Sequence, residues 1–449
     1  MNETELIIEL IKELKAEPMP EQISSCLKAC LLDYIGVALA GSHELKEKIS
    51  AFLDKMPDGS CASPVIGIDR STSMENAALL NGISAHYYDL DDGSRFGMIH
   101  LGAPIFSTLI SLYNHAFNDA SLFLRAALVG YEVALRLSSA MQPGHKKKGL
   151  HATGTCGCIG AAAAASVALD LDEESIKNTI AAAAASASGL LEMIEDVSQL
   201  KPFNAGKAAQ NAVTAALIGA SGFCGPHDPI GGKRGFLKVL SDSFNPEFFN
   251  REGDKKYSIL GIYRKPYASC RHCHSSVEAA LELGQGIEPE NIESIHVSTY
   301  SLAVFGHDHT DIPSVGAAKM SIPYSVASAI CLGTAGMEAM SEEAISDPAI
   351  ISLTKRVSVS EEPEFSALVP GKRIAELEIT LKNSEKLSKR VIYPKGEPEN
   401  PMSRDELELK FRQLAQHARK NKQYCSEIIE LVDSIDTDCG SIKKLIKML

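Results

Sequence analysis

TGTCGCIGAAAAASVALDLD, residues 153–172, is the stretch that decides the class of fold. Its apolar residues are mostly small, and alanine is a strong helix former, so the stretch predicts a buried helix. Small side chains let neighbouring helix backbones approach closely. The apolar run is also too short to cross a bilayer. It therefore indicates the core of a helical protein.

The same helical pattern of apolar residues continues over the first 257 residues. Residues 25–41, SCLKACLLDYIGVALAG, have apolar residues at helical spacing, and Gly41 is expected to end that helix as its C-cap. Residues 204–223, NAGKAAQNAVTAALIGASGF, predict another helix that begins near Ala205. We therefore predict an all-helical domain whose first part covers residues 1–257.

The pattern changes near residue 258. Four segments alternate apolar and polar residues and favour β-branched types, which predicts strands. They are IESIHVSTYS (292–301), KRVSVS (355–360), RIAELEITLK (373–382) and KLSKRVIYP (386–394). Helical patterns lie among them, in HSSVEAALELGQG (274–286) and SIPYSVASAICLGTAG (321–336). Residues 258–398 are therefore predicted to form a smaller, lid-like α+β domain.

The C-terminal segment is predicted to be helical again. A linker rich in proline and glycine, YPKGEPENPMS (393–403), ends at Ser403, which can cap the helical pattern that follows. We expect the helices of residues 399–449 to return to the helical domain. The predicted fold is mainly α: a large all-helical domain with a smaller inserted α+β domain.

Composition and charge bound the function. The chain has 449 residues, 45% of them hydrophobic and 22% charged, with a formal net charge of −13. An acidic protein is a poor partner for nucleic acid or an anionic membrane surface. The first residues, MNETELIIELIKELK, are amphipathic and acidic and do not resemble a signal peptide, so a cytoplasmic protein is expected. An anionic substrate would need a local cluster of basic groups.

The cysteines do not indicate a metal site or disulfides. Without a secretory signal, the eleven cysteines are expected to be reduced, with Cys26 and Cys30 in the core. SCRHCHSS (269–276) holds one Cys-x-x-Cys pair, but its neighbours are basic and no second pair has the spacing of a structural zinc site. Glycine-rich stretches lack the spacing of a nucleotide-binding loop. We predict no metal and no cofactor.

A run of acids and histidines in HYYDLDDGSRFGMIHLGAP (86–104) has three possible interpretations. Its side chains could ligate a divalent cation, could form an acid/base pocket, or could belong to a solvated acidic loop. The residues concerned are His86, Asp89, Asp91, Asp92 and His100.

Two basic segments could bind a carboxylate. Lys146, Lys147, Lys148 and His151 precede a predicted helix whose N-terminus favours anions, although a solvated lysine run is an equal alternative. Lys201 precedes Pro202, so its backbone is expected to be extended and to place the side chain at the mouth of the next helix. There it could be a base of lowered pKa or a carboxylate clamp.

Six stretches in order together resemble the MmgE/PrpD family of 2-methylcitrate dehydratases, cis-aconitate decarboxylases and iminodisuccinate epimerases. They are NGISAHYYDLDD (81–92), HATGTCGCIGAAAAA (151–165), LKPFNAGKAAQNAV (200–213), KPYASCRHCH (265–274), SIPYSVASAI (321–330) and YPKGEPENPMSRDELELKFRQLA (393–415). The resemblance covers almost the whole chain. It implies a helical domain with an inserted α+β lobe, and a cofactor-free homodimer with its active site between the two domains.

The resemblance also implies the site residues. The family's active-site positions fall on Asp89, His100, His151, Lys201, Lys265 and Tyr324. His151 and Lys201 would transfer protons, Asp89 would orient or tune a histidine, and Tyr324 would be a general acid or hydrogen-bond donor. Lys265 would bind a substrate carboxylate, and Arg271, His274 and Lys146 would line the substrate pocket.

Four positions depart from the family pattern. Gly93 stands where many members have threonine, and Leu101 follows the second histidine where proline is common. Asn204 replaces a common histidine, and Lys146 falls at the position of the epimerase's tyrosine. These positions bear on the choice of substrate and reaction.

The implied function is a cofactor-independent lyase or isomerase of a small di- or tricarboxylate. It would transfer a proton at a carbon α to a carboxylate, as a dehydratase or decarboxylase. An epimerase or racemase of an amino- or imino-dicarboxylate is the alternative within the family. A non-catalytic, metabolite-binding dimer is the alternative from another class, and retention of all six family positions favours the enzyme.

Overall fold

The computed structural model describes residues 2–56, 63–116, 120–194 and 198–449. Up to residue 257 the described residues are mainly helical, with one short antiparallel pair of strands, β1 (Ser63–Pro64) and β2 (Ser71–Thr72). The helices are α1 (Glu3–Ala16), α2 (Glu21–Glu44), α3 (Lys46–Leu53), α4 (Met74–His86), α5 (Gly102–Ser111), α6 (Tyr113–Ala116), α7 (Ala120–Met141), α8 (Gly144–Lys147), α9 (Cys156–Ala168), α10 (Glu173–Ser186), α11 (Lys201–Ala220) and α12 (Phe236–Leu240).

Small residues bring the central helices into close contact. A Cβ added to Gly82 of α4 would lie 2.7 Å from the Cα of Gly206 in α11, so no larger residue fits at this crossing. Gly41 was expected to end α2, but α2 continues to Glu44. Its glycine instead lets α4 approach, since an added Cβ would lie within bonding distance of the Ser84 carbonyl oxygen. These crossings fix α4 against α2 and α11.

The lid-like lobe contains a four-stranded sheet at the four predicted segments. Its strands are β3 (Ile292–Thr299), β4 (Val357–Glu361), β5 (Ala375–Leu381) and β6 (Lys386–Val391), in the order β4-β3-β5-β6. β3 pairs with β4 in parallel and with β5 antiparallel, and β5 pairs with β6 antiparallel. The helices of the lobe are α13 (His274–Leu283), α14 (Ser301–Val304), α15 (Val315–Met320), α16 (Ile322–Leu332), α17 (Glu342–Ile345), α18 (Pro348–Thr354) and α19 (Pro363–Ser366).

The C-terminal helices contact the N-terminal ones. They are α20 (Arg404–His417), α21 (Lys422–Asp433) and α22 (Cys439–Met448). Ser403 caps α20 and forms a capping box with Glu406. In α20, Lys410 donates to the buried carboxylate of Asp33 in α2 at 2.5 Å. The domain boundaries at residues 257 and 398 remain predictions.

The prediction of a mainly α fold with a smaller α+β part is confirmed. One helix of the described residues, α2, is long and apolar enough to cross a membrane by length and composition alone. Most of it is buried inside the protein, as expected for a core helix.

Candidate active site

The turn after α4 carries Asp89 in a left-handed conformation. Its φ is 53°, which is uncommon for a residue other than glycine and occurs often at functional sites. Two lysines of the lid-like lobe hold this turn: Lys319 Nζ donates to the Tyr87 carbonyl at 2.8 Å, and Lys265 Nζ donates to the Asp89 carbonyl at 2.7 Å. The lobe therefore fixes the backbone that presents Asp89.

The carboxylate of Asp89 lies between two ammonium groups. Lys265 Nζ is 2.6 Å from Oδ1, and Lys201 Nζ is 2.5 Å from Oδ2. Burial alone would raise the pKa of Asp89, but the charges of Lys201 and Lys265 lower it well below its ordinary value. The three groups carry a net positive charge when Asp89 is ionised.

Lys201 is the more accessible of the two lysines. Its side chain is 19% exposed, whereas that of Lys265 is fully buried. The expectation of an extended backbone at Lys201 is wrong, because α11 begins at Lys201 and Leu200 is its N-cap. Pro202 is compatible with this start, since the first turn of a helix has unpaired N–H groups anyway. Lys201 can therefore meet an anion while it is bound to Asp89.

Two histidines share the carboxylate of Asp91. His86 Nδ1 is 2.9 Å from Asp91 Oδ2, and His100 Nδ1 is 3.3 Å from Asp91 Oδ1. His100 also faces Asp89, with 3.6 Å between Nε2 and Oδ1. Burial would raise the pKa of Asp91, but the histidines lower it well below its ordinary value. Since all four side chains are buried, the interpretation as a solvated acidic loop is wrong.

His151 lies beside this cluster as a neutral imidazole. Its ring centroid is 5.8 Å from that of His86 and 6.5 Å from that of His100. Burial, with the charges of His86 and Lys201, lowers the pKa of His151 well below its ordinary value. The Asn204 amide donates to both the Leu190 carbonyl and His151 Nδ1, which assigns the imidazole proton to Nε2. His151 therefore has a proton to donate.

The four buried groups His86, Asp89, Asp91 and His100 could hold a metal ion, since one ligand atom from each lies within 4.8 Å of the others. Both oxygens of Asp89, however, already accept from lysine ammonium groups. A divalent cation there would meet the repulsion of two positive charges. The donor set fits an acid/base pocket better than a metal site, and metal independence remains a prediction.

Arg271 and His274 hold the lobe together rather than offer free donors. All five N–H groups of Arg271 have partners, which are Glu397, His274 and the carbonyls of Pro394 and Lys395. Burial and Arg271 lower the pKa of the His274 imidazole, whose Nε2 faces the Ser269 carbonyl. Neither residue has a donor left for a substrate in this structure, and their place in a substrate pocket stays a prediction.

Lys146 and Tyr324, the other two predicted site residues, differ in their surroundings. Lys146 Nζ lies 3.4 Å from His272 Nε2, and Lys201 and Cys270 are close enough to act on it electrostatically. Tyr324 is buried and donates to the Ala339 carbonyl at 2.6 Å. Among the described residues, no hydrogen bond or ion pair joins Tyr324 to Asp89 or the lysines. The structure thus joins Lys146 to the site electrostatically and leaves Tyr324 outside its hydrogen-bond network.

Comparison with known proteins identifies the family of this chain. The MmgE/PrpD N-terminal domain matches residues 5–248, and the MmgE/PrpD C-terminal domain matches residues 267–435. The chain belongs to the MmgE/PrpD family. A cis-aconitate decarboxylase-like protein of Aspergillus oryzae, oryM, is 26% identical, over 92% of this chain and 90% of that protein. Cis-aconitate decarboxylases of Homo sapiens and Mus musculus are 23% and 24% identical, over 99% of this chain and 94% and 93% of those proteins.

Membership of the MmgE/PrpD family supports an enzyme. Two departures from the family pattern have visible consequences here. At Gly93 an added Cβ would lie 2.5 Å from the Tyr263 hydroxyl and 2.7 Å from the Ile99 carbonyl oxygen, so Tyr263 occupies the space that a threonine would need. Asn204, in place of a histidine, sets the tautomer of His151.

Lys319 is a site residue that the sequence did not reveal. Burial lowers the pKa of Lys319 to about 8, and the charge of Lys201 adds to the effect while Asp89 opposes it. Its Nζ lies 4.5 Å from the centroid of the Tyr87 ring. The only signal was its place two residues before the SIPYSVASAI stretch, and spacing alone does not indicate a lysine that reaches the turn after α4.

One cavity near the site does not suit a polycarboxylate. It has a volume of about 810 Å³ and lies next to the Asp89 turn, against Tyr87 and Tyr88. Its other walls include Glu44, Glu338, Glu342 and Glu343. These carboxylates would repel a polycarboxylate, whereas Lys201 and Lys265 beside Asp89 would attract one.

Proposed function

We propose that this protein is a cofactor-independent lyase of the dehydratase or decarboxylase type that acts on a small tricarboxylate or dicarboxylate. The observation that carries the proposal is the Lys201–Asp89–Lys265 arrangement with neutral His151 beside it, inside a protein of net charge −13. It supplies both a local positive charge and a proton donor. The names of the cis-aconitate decarboxylase relatives support the same class of substrate.

In this proposal the lysines stabilise the charge that develops during the reaction. Removal of a proton α to a carboxylate leaves a carbanion whose charge spreads onto that carboxylate. Loss of CO₂ leaves a carbanion whose charge spreads onto a conjugated group that remains in the substrate. A fixed ammonium group lowers the energy of such an intermediate in a water-poor site. Lys201 has this role because its side chain is partly exposed and held in place by Asp89.

His151 acts as the acid. Its proton lies on Nε2, since Nδ1 accepts from Asn204. It would protonate the carbanion after decarboxylation, or the leaving hydroxyl group in a dehydration, and the imidazolate left behind would be stabilised by the charge of Lys201, which acts on this ring. His100 donates from Nδ1 to the Asp92 carbonyl, and its Nε2, which faces Asp89 Oδ1 at 3.6 Å, would be the base of a dehydratase or of an epimerase.

Further expectations belong to the same proposal. We expect a homodimer in the cytoplasm, with no nucleic-acid or membrane partner and with no metal. Epimerisation of an amino- or imino-dicarboxylate is the alternative reaction, and Lys146 at the position of the epimerase's tyrosine bears on it. A metabolite-binding dimer without activity is the alternative of another class.

Incubation with a panel of C4 to C7 di- and tricarboxylates, followed by carbon-13 and proton NMR, tests the proposal. Release of CO₂, loss of a hydroxyl group or inversion of a centre would each identify one reaction. The Lys201→Met variant is the inactive control, and Lys207→Met, on the same helix but hydrogen-bonded to Gln210 rather than to Asp89, is the matched active control. Tight binding of a panel member without any conversion would favour the non-catalytic dimer.

A further inference from the structure

Cys270 has the surroundings of a reactive thiol. Its Sγ lies 3.3 Å from His307 Nε2. His307 Nδ1 is 3.0 Å from the Phe305 carbonyl, which holds the Nδ1 proton and leaves Nε2 free to take the proton of the thiol. A nucleophile, a base and a group that orients the base are the parts that activate cysteine in enzymes. Cys270 is also partly exposed, whereas Cys273 of the same Cys-x-x-Cys pair is buried.

The charges around Cys270 favour its thiolate. Burial alone would raise the pKa of the thiol, but His307 and then Lys201 lower it to about 6, while Asp89 opposes them. Lys146 on α8 is a further cation that interacts with this thiol. His272 packs on His307 with 5.1 Å between ring centroids, and burial lowers its pKa, so it adds no fixed charge. A thiolate here would be stable at neutral pH.

We infer that Cys270 and His307 form a covalent modification site for anionic carbon electrophiles, above all α,β-unsaturated carboxylates. The reaction is a conjugate addition. The thiol passes its proton to His307 Nε2, and Sγ then bonds to the β carbon while the π electrons move to the α carbon and its carboxylate. His307 returns the proton to the α carbon. Nothing leaves and nothing is oxidised, so no further reactant is needed.

The cations near Cys270 make the site selective for electrophiles that carry a negative charge. Lys146 and Lys201 act on Cys270, so a carboxylate on the electrophile would be attracted as the bond forms. A dehydratase that eliminates water next to a carboxylate forms an α,β-unsaturated carboxylate, and a decarboxylase that acts on an unsaturated tricarboxylate keeps the double bond. The inference that a product can modify Cys270 rests on the proposed function, whereas the reactivity of Cys270 does not.

Cys224 provides a reference within the same protein. It is exposed, and its Sγ contacts only the Gly222 carbonyl among the described residues, at 3.7 Å. Cys26 provides a second comparison, because the pKa of its thiol is also lowered to about 6, in this case by Cys30 and Arg264 without a histidine. Peptide mapping by mass spectrometry can follow all three thiols in one sample.

The test compares iodoacetate with iodoacetamide and then uses maleate, all on the intact wild-type protein. We expect Cys270 to react first with iodoacetate. Its ratio of iodoacetate to iodoacetamide rates should exceed that of Cys224 by at least ~10-fold. Maleate should add one equivalent at Cys270. Slower labelling of Cys270 than of Cys224, or equal ratios at the two thiols, would overturn the inference.

The pH dependence of labelling tests the role of His307. In wild type the rate at Cys270 should be half-maximal near pH 6, and in His307→Phe the midpoint should move toward the ordinary thiol value of about 8.5. An unchanged midpoint in a folded variant would remove the histidine from the inference. Labelling is measured without turnover, so a protein that labels at Cys270 but converts no substrate would contradict only the proposed function.

Discussion

Lys265 Nζ lies 2.6 Å from Asp89 Oδ1, although 176 residues separate them in the chain. The lysine belongs to the lid-like lobe and the aspartate to the turn after α4. A fully buried ammonium group is costly unless it is paired, so this contact ties the two parts of the protein together. The same aspartate also holds Lys201, which makes it the centre of the candidate site.

Asp89→Asn should destabilise the protein. The substitution leaves the buried Lys265 ammonium without its counter-charge, which costs about 3–5 kcal/mol when one member of a buried pair is removed. Urea unfolding at pH 7 measures this loss. A variant within about 1 kcal/mol of wild type would show that Lys265 is not charged in the folded protein.

The loss caused by Asp89→Asn should also depend on pH. The pKa of Asp89 is lowered in the folded protein, so its contribution to the free energy of unfolding is fully present above the ordinary aspartate pKa of about 3.9. The contribution is lost as the pH falls through the folded-state pKa. The difference between wild type and Asp89→Asn should therefore shrink below about pH 4. A difference that grows there contradicts the ion pairs.

Lys201→Met should lower kcat by at least ~100-fold, the low end for a proton-transfer or charge-stabilising group. The fold should persist, because Asp89 keeps Lys265 as its partner. Lys207→Met on the same helix should keep wild-type kcat. If Lys201→Met retains more than about a tenth of wild-type kcat and only raises KM, Lys201 binds the substrate and the transition state equally well. It would then not contribute to the chemical step.

Asn204→Ala should lower kcat by roughly 10-fold or more with little change in KM. Without the amide, His151 Nδ1 has no donor, and the imidazole can move its proton to the wrong nitrogen. Asn211→Ala on the same helix removes a hydrogen bond to the Ser186 carbonyl instead and is the matched control. Equal kcat for the two variants would mean that the tautomer of His151 does not matter.

Gly93→Thr, which restores the residue common in the family, should destabilise the protein by about 1–3 kcal/mol through overpacking. Tyr263→Phe in addition should recover only part of the loss, because the Ile99 carbonyl oxygen still lies 2.7 Å from the new Cβ. Gly261→Thr is the control, since nothing lies within 4 Å of a Cβ there. A neutral Gly93→Thr would imply that Tyr263 can move aside freely.

The sequence predicted the helices and strands better than the ends of elements and the roles of charged residues. Alternation and β-branched residues located β3 to β6 because these strands are half-buried. The end of α2 was wrongly placed at Gly41, because a glycine that ends a helix and a glycine that lets another helix cross look alike in sequence. The backbone at Lys201 was wrongly expected to be extended. A lysine before proline can likewise be the first residue of a helix.

The candidate site was only partly predictable, because the partners of several of its side chains lie far away in the chain. Family resemblance indicated Asp89, Lys201 and Lys265, and the structure joins them by ion pairs. Apart from His274, the partners of Arg271 come from residues 394–397, which the sequence places more than a hundred residues away. Only tertiary structure reveals that its donors are occupied. Lys319 and His307 depend in the same way on contacts between distant segments.

Solvent deuterium exchange tests the central claim of metal-free proton transfer most directly. The protein would be treated with EDTA, checked for zinc and iron by elemental analysis, and incubated with the di- and tricarboxylate panel in D₂O. Proton NMR should then show deuterium at a carbon α to a carboxylate, at a rate that EDTA leaves unchanged and Lys201→Met lowers at least ~100-fold. No exchange with any acid, or exchange that requires a stoichiometric metal ion, would contradict the account.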